Sequence, residues 1–261
     1  MVPESTQFQI RLAAGEQDLR AAQRLRYRVF VEELGGGGAS ADHTRRLECD
    51  EFDAINDHLI LVDTQRDMAG LDYVVGAYRL LPSDRAATFG RYYCDSEYDL
   101  APLRRTGRKL LELGRSCVAA ECRGSAAMFL LWNGLAEYVL ENGIEILFGV
   151  ASFHGTDVEE LKLPLSWLHH NHLAPEALRV RARAEQYQRM DLVPGERLDR
   201  HAAMLALPTL IKAYLRLGGF VGDGAYIDHD FNTTDVCLVM DTVAMSERHK
   251  GFYTRKHGVR A

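Results

Sequence analysis

Acidic and basic side chains with the capacity for binding chemistry recur in three short stretches: LECDEFD (47–53), AYRLL (77–81) and ELGR (112–115). In an extended segment Glu48 and Asp50 share one face, so together they could bind an ammonium or guanidinium group. An acidic run is also typical of a solvated loop. A metal site ranks third, because the stretch lacks an EF-hand pattern.

Arg26 lies on the apolar face of the first helix, which the periodicity predicts from Gln17 to about Leu34. An arginine directed toward the core requires a carboxylate partner, and residues 48–53 could supply one. The alternative is that its guanidinium extends along the helix to solvent.

The stretch from Leu110 to Leu140 predicts a strand, a polar turn and a strongly apolar helix. The turn contains Arg123, Gly124 and Ser125, and Ser125 could cap the helix. Free N–H groups and the helix dipole favour an anion at such a helix N-terminus, which suggests a phosphate cradle. An ordinary buried strand–helix unit with a solvated arginine turn explains the same residues.

Within the predicted strand, alternation would direct Glu112 and Arg115 to opposite faces. Both could serve one site only if the strand contains a bulge near Gly114. Such a bulge would also separate the strand from its neighbour and open a cleft.

The composition predicts an ordinary globular protein with 47% apolar and 26% charged residues. We expect one domain over residues 1–261, with an insertion over the polar, weakly periodic residues 160–207. No apolar run is long enough for a spanning helix and the N-terminus lacks a leader pattern, so a cytoplasmic protein is expected. The net charge of −6 argues against nucleic-acid binding.

Two basic clusters stand out on this acidic chain: Arg104, Arg105, Arg108 and Lys109, and Arg179, Arg181 and Arg183. Such clusters are usually solvated faces, but they also fit an acidic protein partner. We predict no metal site, since the histidine run 169–172 lacks further ligands at metal spacing and the five cysteines form no CxxC pair.

Strands alternate with helices along the chain, which indicates an α/β (α+β) fold. Predicted strands cover residues 8–12, 58–63, 73–81 and 144–152, the middle two as an antiparallel pair. A closing hairpin is expected at 225–228 and 236–241, and the segment 82–102 is expected to be irregular.

Four of these features resemble the autoinducer synthases that make N-acyl homoserine lactones: LRYRVF (25–30), the ExDxxD of 48–53, Arg79 and ELGR (112–115). Those enzymes belong to the GNAT superfamily of N-acyltransferases. Further segments are more similar to the ornithine N-acyltransferases of ornithine lipid synthesis and their hemolysin-like relatives: ELGRSCV, ECRG, FHGTD, LPTLIKAYLRLGG and DFNTTDV. The glycine loop 35–38 replaces a tryptophan of the lactone synthases, which puts their S-adenosylmethionine site in doubt.

The resemblance implies a GNAT fold, with a mixed central sheet, splayed strands, flanking helices and a C-terminal helical insertion. It implies transfer of a 3-hydroxy fatty acyl group from acyl carrier protein to the α-amino group of ornithine, giving lyso-ornithine lipid. No bound cofactor is implied, because the 4′-phosphopantetheine thioester of the carrier is a co-substrate. Peripheral contact with the inner face of the cytoplasmic membrane fits an amphiphilic product.

The resemblance also suggests residue roles. Glu48 and Glu112 are the candidate bases, because an α-ammonium with a pKa of about 8 needs a single carboxylate to deprotonate it. Asp50 and Asp53 either bind the amino acid's cation or, the favoured interpretation, anchor Arg26 and Arg79. The remaining roles are substrate contact by Arg26, Phe30, Asp50, Asp53, Arg79, Arg115 and Ser116, phosphate binding by Arg123, Gly124 and Ser125, and carrier binding by Arg104, Arg105 and Arg108.

Two alternatives share these residues. One is a lactone-forming or other long-chain N-acyl amino acid synthase, with the same catalytic half. The other is a non-catalytic module that binds acyl carrier protein or a membrane, although the sequence shows no evident cationic amphipathic helix for the latter.

Overall fold

A computed structural model describes residues 7–123 and 126–244 of the chain. Strands and helices alternate through both ranges, as predicted. The strands are β1 (Phe8–Leu12), β2 (Ala41–Asp42), β3 (Leu47–Glu48), β4 (Asp57–Asp63), β5 (Val74–Pro82), β6 (Tyr98–Asp99), β7 (Leu110–Val118), β8 (Ile146–His154), β9 (Arg181–Ala182), β10 (Tyr187–Gln188), β11 (Phe220–Val221), β12 (Ala225–Asp228) and β13 (Thr233–Asp241). The α-helices are α1 (Glu16–Arg26), α2 (Ser83–Phe89), α3 (Ala101–Arg105), α4 (Ala127–Glu141), α5 (Val158–His172), α6 (Arg200–Ala206) and α7 (Thr209–Arg216).

Residue contacts divide the chain into two units that interleave in sequence. The first unit comprises residues 1–89 and 113–143, and the second comprises residues 90–112 and 144–261. Strand β7 contributes its first three residues to the second unit and the rest to the first. The prediction of a single domain with an insertion at 160–207 stays a prediction. Those residues include most of α5, the short strands β9 and β10, and α6.

In the first unit β4 pairs antiparallel with both β1 and β5, which confirms the predicted β4–β5 pair. Every residue of β5 is buried. Helix α4 packs against β1, β4 and β5, and Gly134 permits this approach. A Cβ atom at Gly134 would lie 2.5 Å from Ile10, so a larger residue would push the helix off the strand.

In the second unit β7 and β8 pair in parallel over Leu110–Glu112 and Ile146–Phe148, the first three residues of each strand. Along its other edge β8 pairs antiparallel with β13 over nine residues. Strand β13 also pairs antiparallel with β12, and β12 with β10. Parallel and antiparallel pairing therefore coexist, which confirms the predicted mixed sheet. The hairpin of β12 and β13 is also confirmed, with β13 starting at Thr233 instead of residue 236.

Two segments differ from the sequence-based expectation. The first helix is α-helical only to Arg26 and continues as a π-helix over Tyr27–Glu33. The sequence analysis did not separate the two forms, because seven residues are too few for their period to distinguish them. The segment expected to be irregular, 82–102, forms α2, β6 and the start of α3, all too short for a periodicity argument. Among the described residues, no helix is both long and apolar enough to cross a bilayer.

Candidate active site

A network of three arginines and three carboxylates lies in the first unit, and we call it the charge network. Its members come from the end of α1, from β3 and the 3₁₀ turn after it, from β5 and from β7. They are Arg26, Glu48, Asp50, Asp53, Arg79 and Arg115. All six were predicted as site residues, and the structure brings them together.

Arg26 forms the centre of the charge network and is 1% exposed. Its Nη1 and Nη2 atoms donate to Oδ1 and Oδ2 of Asp53 at 2.8 and 2.7 Å. Nη2 also donates to the backbone carbonyl oxygen of Glu48 at 2.5 Å. Arg26 Nε lies 2.6 Å from Glu48 Oε2, a close ion pair without hydrogen-bond direction. Burial alone would lower the pKa of Arg26, but Glu48 and Asp53 offset it and hold that pKa above its ordinary value. Arg26 therefore pairs inside the core and does not extend to solvent.

Asp53 has further partners that sequence reasoning missed. Gln23, one helical turn before Arg26, donates to Asp53 Oδ2 at 2.8 Å, and His58 Nε2 lies 2.9 Å from the Asp53 carbonyl oxygen. Burial would raise the pKa of Asp53, but the bonds from Arg26 and the charge of Arg79 outweigh it and lower that pKa well below the usual range. The three-residue spacing of Gln23 and Arg26 on one helix face was the available signal.

Arg79 and Arg115 complete the charge network through Asp50. Arg79 Nη1 donates to Asp50 at 2.6 Å and to Asp53 at 3.2 Å, and its guanidinium lies 5.6 Å from the centre of the Phe52 ring. Arg115 Nε donates to Glu48 Oε1 at 3.0 Å, and its Nη2 lies 3.4 Å from Asp50.

Strand β7 is distorted next to Gly114, where the sequence analysis places a bulge if Glu112 and Arg115 are to serve one site. Arg115 has a φ of 49°, a left-handed conformation that is rare for a residue with a side chain. This residue interrupts the alternation of the strand next to Gly114, as the predicted bulge does, and the Arg115 side chain bonds to Glu48.

Of the two aspartates, Asp50 and Asp53, the charge network supports the structural interpretation for the more buried Asp53. Both carboxylates bond to the protein's own arginines, and three positive charges balance three negative ones. Glu48 is fully buried, whereas the side chains of Asp50 and Arg115 are 16% and 10% exposed. Asp50 and Arg115 are therefore the members of the charge network that are most accessible to solvent.

Glu112, the other candidate base, has different partners in the second unit. Its two carboxylate oxygens accept the backbone N–H groups of Tyr93, at 2.9 Å, and Cys94, at 2.7 Å. These amides open the 3₁₀ turn Tyr93–Ser96, and Glu112 is 4% exposed. The remaining predicted contacts are half-buried: Phe30 lies in the π-helix and Ser116 on β7.

Comparison with known proteins identifies the family. The L-ornithine N(alpha)-acyltransferase of Rhodobacter capsulatus is 67% identical over 249 residues, covering 95% of each chain. The protein of the same name from Rhizobium meliloti is 43% identical over 94% of this chain and 84% of its own. This chain belongs to the L-ornithine N(alpha)-acyltransferase family. It is thereby an N-acyltransferase of the type the sequence resemblance predicted.

The fold of this family member is also confirmed. The model of the acetyltransferase (GNAT) domain matches residues 25–133. A coenzyme-A-dependent acyl-homoserine lactone synthase, BjaI with SAM and isopentyl-CoA, has the same fold, with a TM-score of 0.51 and 14% identity over 94% of this chain and 88% of that one.

The predicted phosphate cradle falls partly outside the described residues, because Gly124 and Ser125 lie there. Helix α4 begins at Ala127, after Ala126 at its N-cap position. Arg123 forms two bonds to the Glu33 carboxylate and donates from Nε to the Val118 carbonyl at 3.0 Å. The bonds from Arg123 lower the pKa of Glu33. A phosphate would compete with Glu33 for this guanidinium.

In the predicted carrier-binding cluster, two of the three arginines form ion pairs with the protein's own carboxylates, and the role of the cluster stays a prediction. Arg104 pairs with Asp95 through two bonds, one of 2.8 Å, and Arg108 pairs with Asp241 at 2.7 and 2.6 Å. Arg105 is exposed and forms no ion pair with the described residues. These acidic partners lie too far away in sequence, or on an irregular turn, for a charge-run argument to find them.

An acidic cluster in the second unit escaped the sequence analysis, which predicted no metal site. Carboxylate oxygens of Glu97, Asp228 and Asp235 lie within 4.8 Å of one another. Glu97 and Asp235 are buried. Their separation along the chain leaves no ligand spacing to recognise, and such a cluster alone does not identify a ligand.

Proposed function

We propose that this chain transfers a 3-hydroxy fatty acyl group from acyl carrier protein to the α-amino group of ornithine, forming lyso-ornithine lipid. The observation that carries the proposal is the 67% identity, over 95% of both chains, with a protein named L-ornithine N(alpha)-acyltransferase. The chemistry of the described residues is compatible with this reaction.

The reaction forms an amide and releases a thiol. The neutral α-amine attacks the thioester carbonyl, the C–N bond forms and the C–S bond breaks. The α-ammonium loses one proton to a base before the attack, and the nitrogen loses a second proton as the amide forms, which the leaving thiolate takes up. A thioester already has a good leaving group, so no covalent acyl-enzyme is needed.

We assign the base to Glu112 and a structural role to Glu48. Protonating Glu48, which is fully buried, would remove one of the two carboxylate partners of Arg26 and one of the two of Arg115. Glu112 accepts backbone N–H groups of Tyr93 and Cys94, and a carboxylate in a pocket beside the thioester could take the proton of the amine directly or through a water molecule.

Asp50 and Arg115 are the proposed contacts for the zwitterionic amino acid. Their mutual contact of 3.4 Å is long for an ion pair, and they are the most exposed members of the charge network. The α-carboxylate of the amino acid would bond to Arg115, and its ammonium group would bond to Asp50. These two contacts between opposite charges would replace the single contact between Arg115 and Asp50.

The acyl donor is a co-substrate, and its phosphate is assigned to Arg123 and the N-terminal turn of α4. Arg105, exposed on α3, is the proposed contact for the acidic carrier. Since the product is an amphiphile, peripheral contact with the cytoplasmic face of the membrane is part of the proposal.

The test is a competition among acceptor amines. Purified protein receives one 3-hydroxyacyl carrier thioester and an equimolar mixture of ornithine, lysine, glutamine, glycine and S-adenosylmethionine, and products are identified by mass spectrometry. Nα-acyl-ornithine as the main product supports the proposal. Acyl-homoserine lactone would overturn it in favour of a lactone synthase. Absence of any acylated amine, with the thioester intact, would favour a non-catalytic carrier-binding module.

The donor is tested in parallel. The same acyl group on coenzyme A replaces the carrier thioester at matched concentration. A much lower rate with coenzyme A supports the carrier as donor, whereas an equal rate would contradict that part of the proposal.

A further inference from the structure

Residues 200–222 carry positive charge on a protein whose overall charge is −6. The segment contains Arg200, Lys212 and Arg216 and no aspartate or glutamate. Helices α6 and α7 form most of it, and we call them the cationic helix pair. On an acidic chain, this asymmetry indicates attraction to an anionic surface.

The inner side of the cationic helix pair is packed. Ala203 of α6 and Ile211 and Tyr214 of α7 are buried, and α6 also contacts α5. Arg200 lies 5.5 Å above the Trp167 ring of α5. The two helices are therefore held in place, and their outer side chains are presented by a folded surface.

The outer side combines an exposed leucine with cations. Leu205 is 67% exposed, the largest fraction among the large apolar side chains that the structure describes. Lys212 Nζ donates to the Leu205 carbonyl at 3.1 Å, which fixes one ammonium beside the leucine. Arg200, His201 and Arg216 are exposed as well. Helices of seven and eight residues are too short for the sequence analysis to recognise such a surface from its period.

We propose that the cationic helix pair docks on the anionic surface of a phospholipid bilayer, with Leu205 inserted between headgroups and the cations on lipid phosphates. An exposed apolar side chain with an ammonium beside it and further exposed cations on the same two helices matches the boundary between acyl chains and anionic headgroups. The choice of a bilayer over an acidic protein rests on the proposed function, because a long-chain acyl-amino acid released at the membrane can partition directly into it.

The experiment is sedimentation of the full chain with vesicles of phosphatidylcholine, with or without about 30% phosphatidylglycerol. Binding to the anionic vesicles is expected, with loss as ionic strength rises from about 0.1 to about 0.5 M. Equal binding to both vesicle types, or binding to neither, would overturn the proposal.

Matched variants locate the surface. Leu205→Glu and Arg216→Glu should each weaken vesicle binding by about tenfold. Leu140→Glu and Arg45→Glu alter side chains of similar exposure in the first unit, 63% for Leu140 and 74% for the Arg45 side chain, and should bind as the wild type does. Equal losses in the control variants would contradict this assignment, and melting curves confirm that each variant is folded.

Turnover with soluble carrier thioester separates this inference from the proposed function. If Leu205→Glu weakens vesicle binding and keeps wild-type turnover, the docking surface is supported. If it raises the carrier concentration for half-maximal rate and leaves vesicle binding unchanged, the surface belongs to the carrier and the membrane proposal fails. Wild-type protein that binds vesicles and forms no acyl-ornithine would overturn the function alone.

Discussion

Glu48 and Glu112 are both buried carboxylates in this protein, but different groups compensate their charge. Glu48 lies between the guanidinium groups of Arg26 and Arg115, whereas Glu112 accepts two backbone amides at the start of a 3₁₀ turn. Two guanidinium groups compensate the charge of Glu48, and peptide N–H groups contribute to stabilising Glu112.

Because their partners differ, we expect the two carboxylates to differ in how much the fold is disturbed when each exchanges a proton. Removing charge from Glu48 leaves buried cations behind, so the cost spreads through the charge network. Removing charge from Glu112 weakens its hydrogen bonds to the backbone N–H groups of Tyr93 and Cys94, for which we expect a smaller cost. Stability should therefore respond mainly to the first region and turnover mainly to the second.

The largest effect should come from Arg26→Met, which leaves Glu48 and Asp53 buried without their shared partner. We expect the free energy of unfolding to fall by about 3–5 kcal/mol, measured by urea denaturation. The control is Arg46→Met, which breaks an exposed pair with Glu32 and should cost less than about 1 kcal/mol. Similar losses in both variants would mean that burial does not set the strength of these pairs.

Glu112→Gln should affect turnover most. The amide can accept only through its oxygen, so one backbone N–H loses its partner, at a cost of about 1–3 kcal/mol of stability. If Glu112 is the base, the turnover number should fall about 100-fold or more while carrier binding is kept. Glu48→Gln, measured beside it at a temperature where both variants are folded, should lose more stability and less turnover. The reverse order would exchange the two assigned roles.

The acid dependence of stability should report on Asp53. Its pKa is lowered in the folded protein, so its contribution is fully present above the unfolded value of about 3.9 and is lost as the pH falls toward the folded value. The free energy of unfolding should therefore decrease between about pH 5 and pH 2, and Asp53→Asn should flatten this decrease. Asp67→Asn, at an exposed turn, is the control. An equally steep curve for Asp53→Asn would show that other groups control acid unfolding.

The smallest effect concerns Arg105, which is exposed and forms no ion pair with the residues that the structure describes. Arg105→Glu should raise the carrier concentration for half-maximal rate severalfold, with an unchanged maximal rate and a reduced salt dependence. Arg45→Glu, also exposed, should behave like the wild type. An unaffected salt dependence in Arg105→Glu would place the carrier elsewhere.

Much of this site could be predicted from the residue types, because buried charged side chains require partners of opposite charge. A buried arginine needs a carboxylate, so the position of Arg26 on an apolar helix face implied a partner in residues 48–53. A distortion of β7 near Gly114 was predicted on the condition that Glu112 and Arg115 serve one site, and the left-handed backbone of Arg115 is the distortion that the structure shows. The partners of Arg104, Arg108 and Arg123 could not be predicted, because surface ion pairs depend on which distant segments meet, and either sign of charge is tolerated there.

The sequence by itself determined the family, the mixed α/β fold and the six members of the charge network, because hydrophobic period and the cost of unpaired buried charge act locally and strongly. The tertiary structure decided how the charges are shared: that Glu48 is enclosed by guanidinium groups, that Glu112 takes backbone amides, and that Arg123 bonds to Glu33. Pairing of this kind depends on distances of a few ångströms between segments far apart in the chain, and no local pattern encodes those distances.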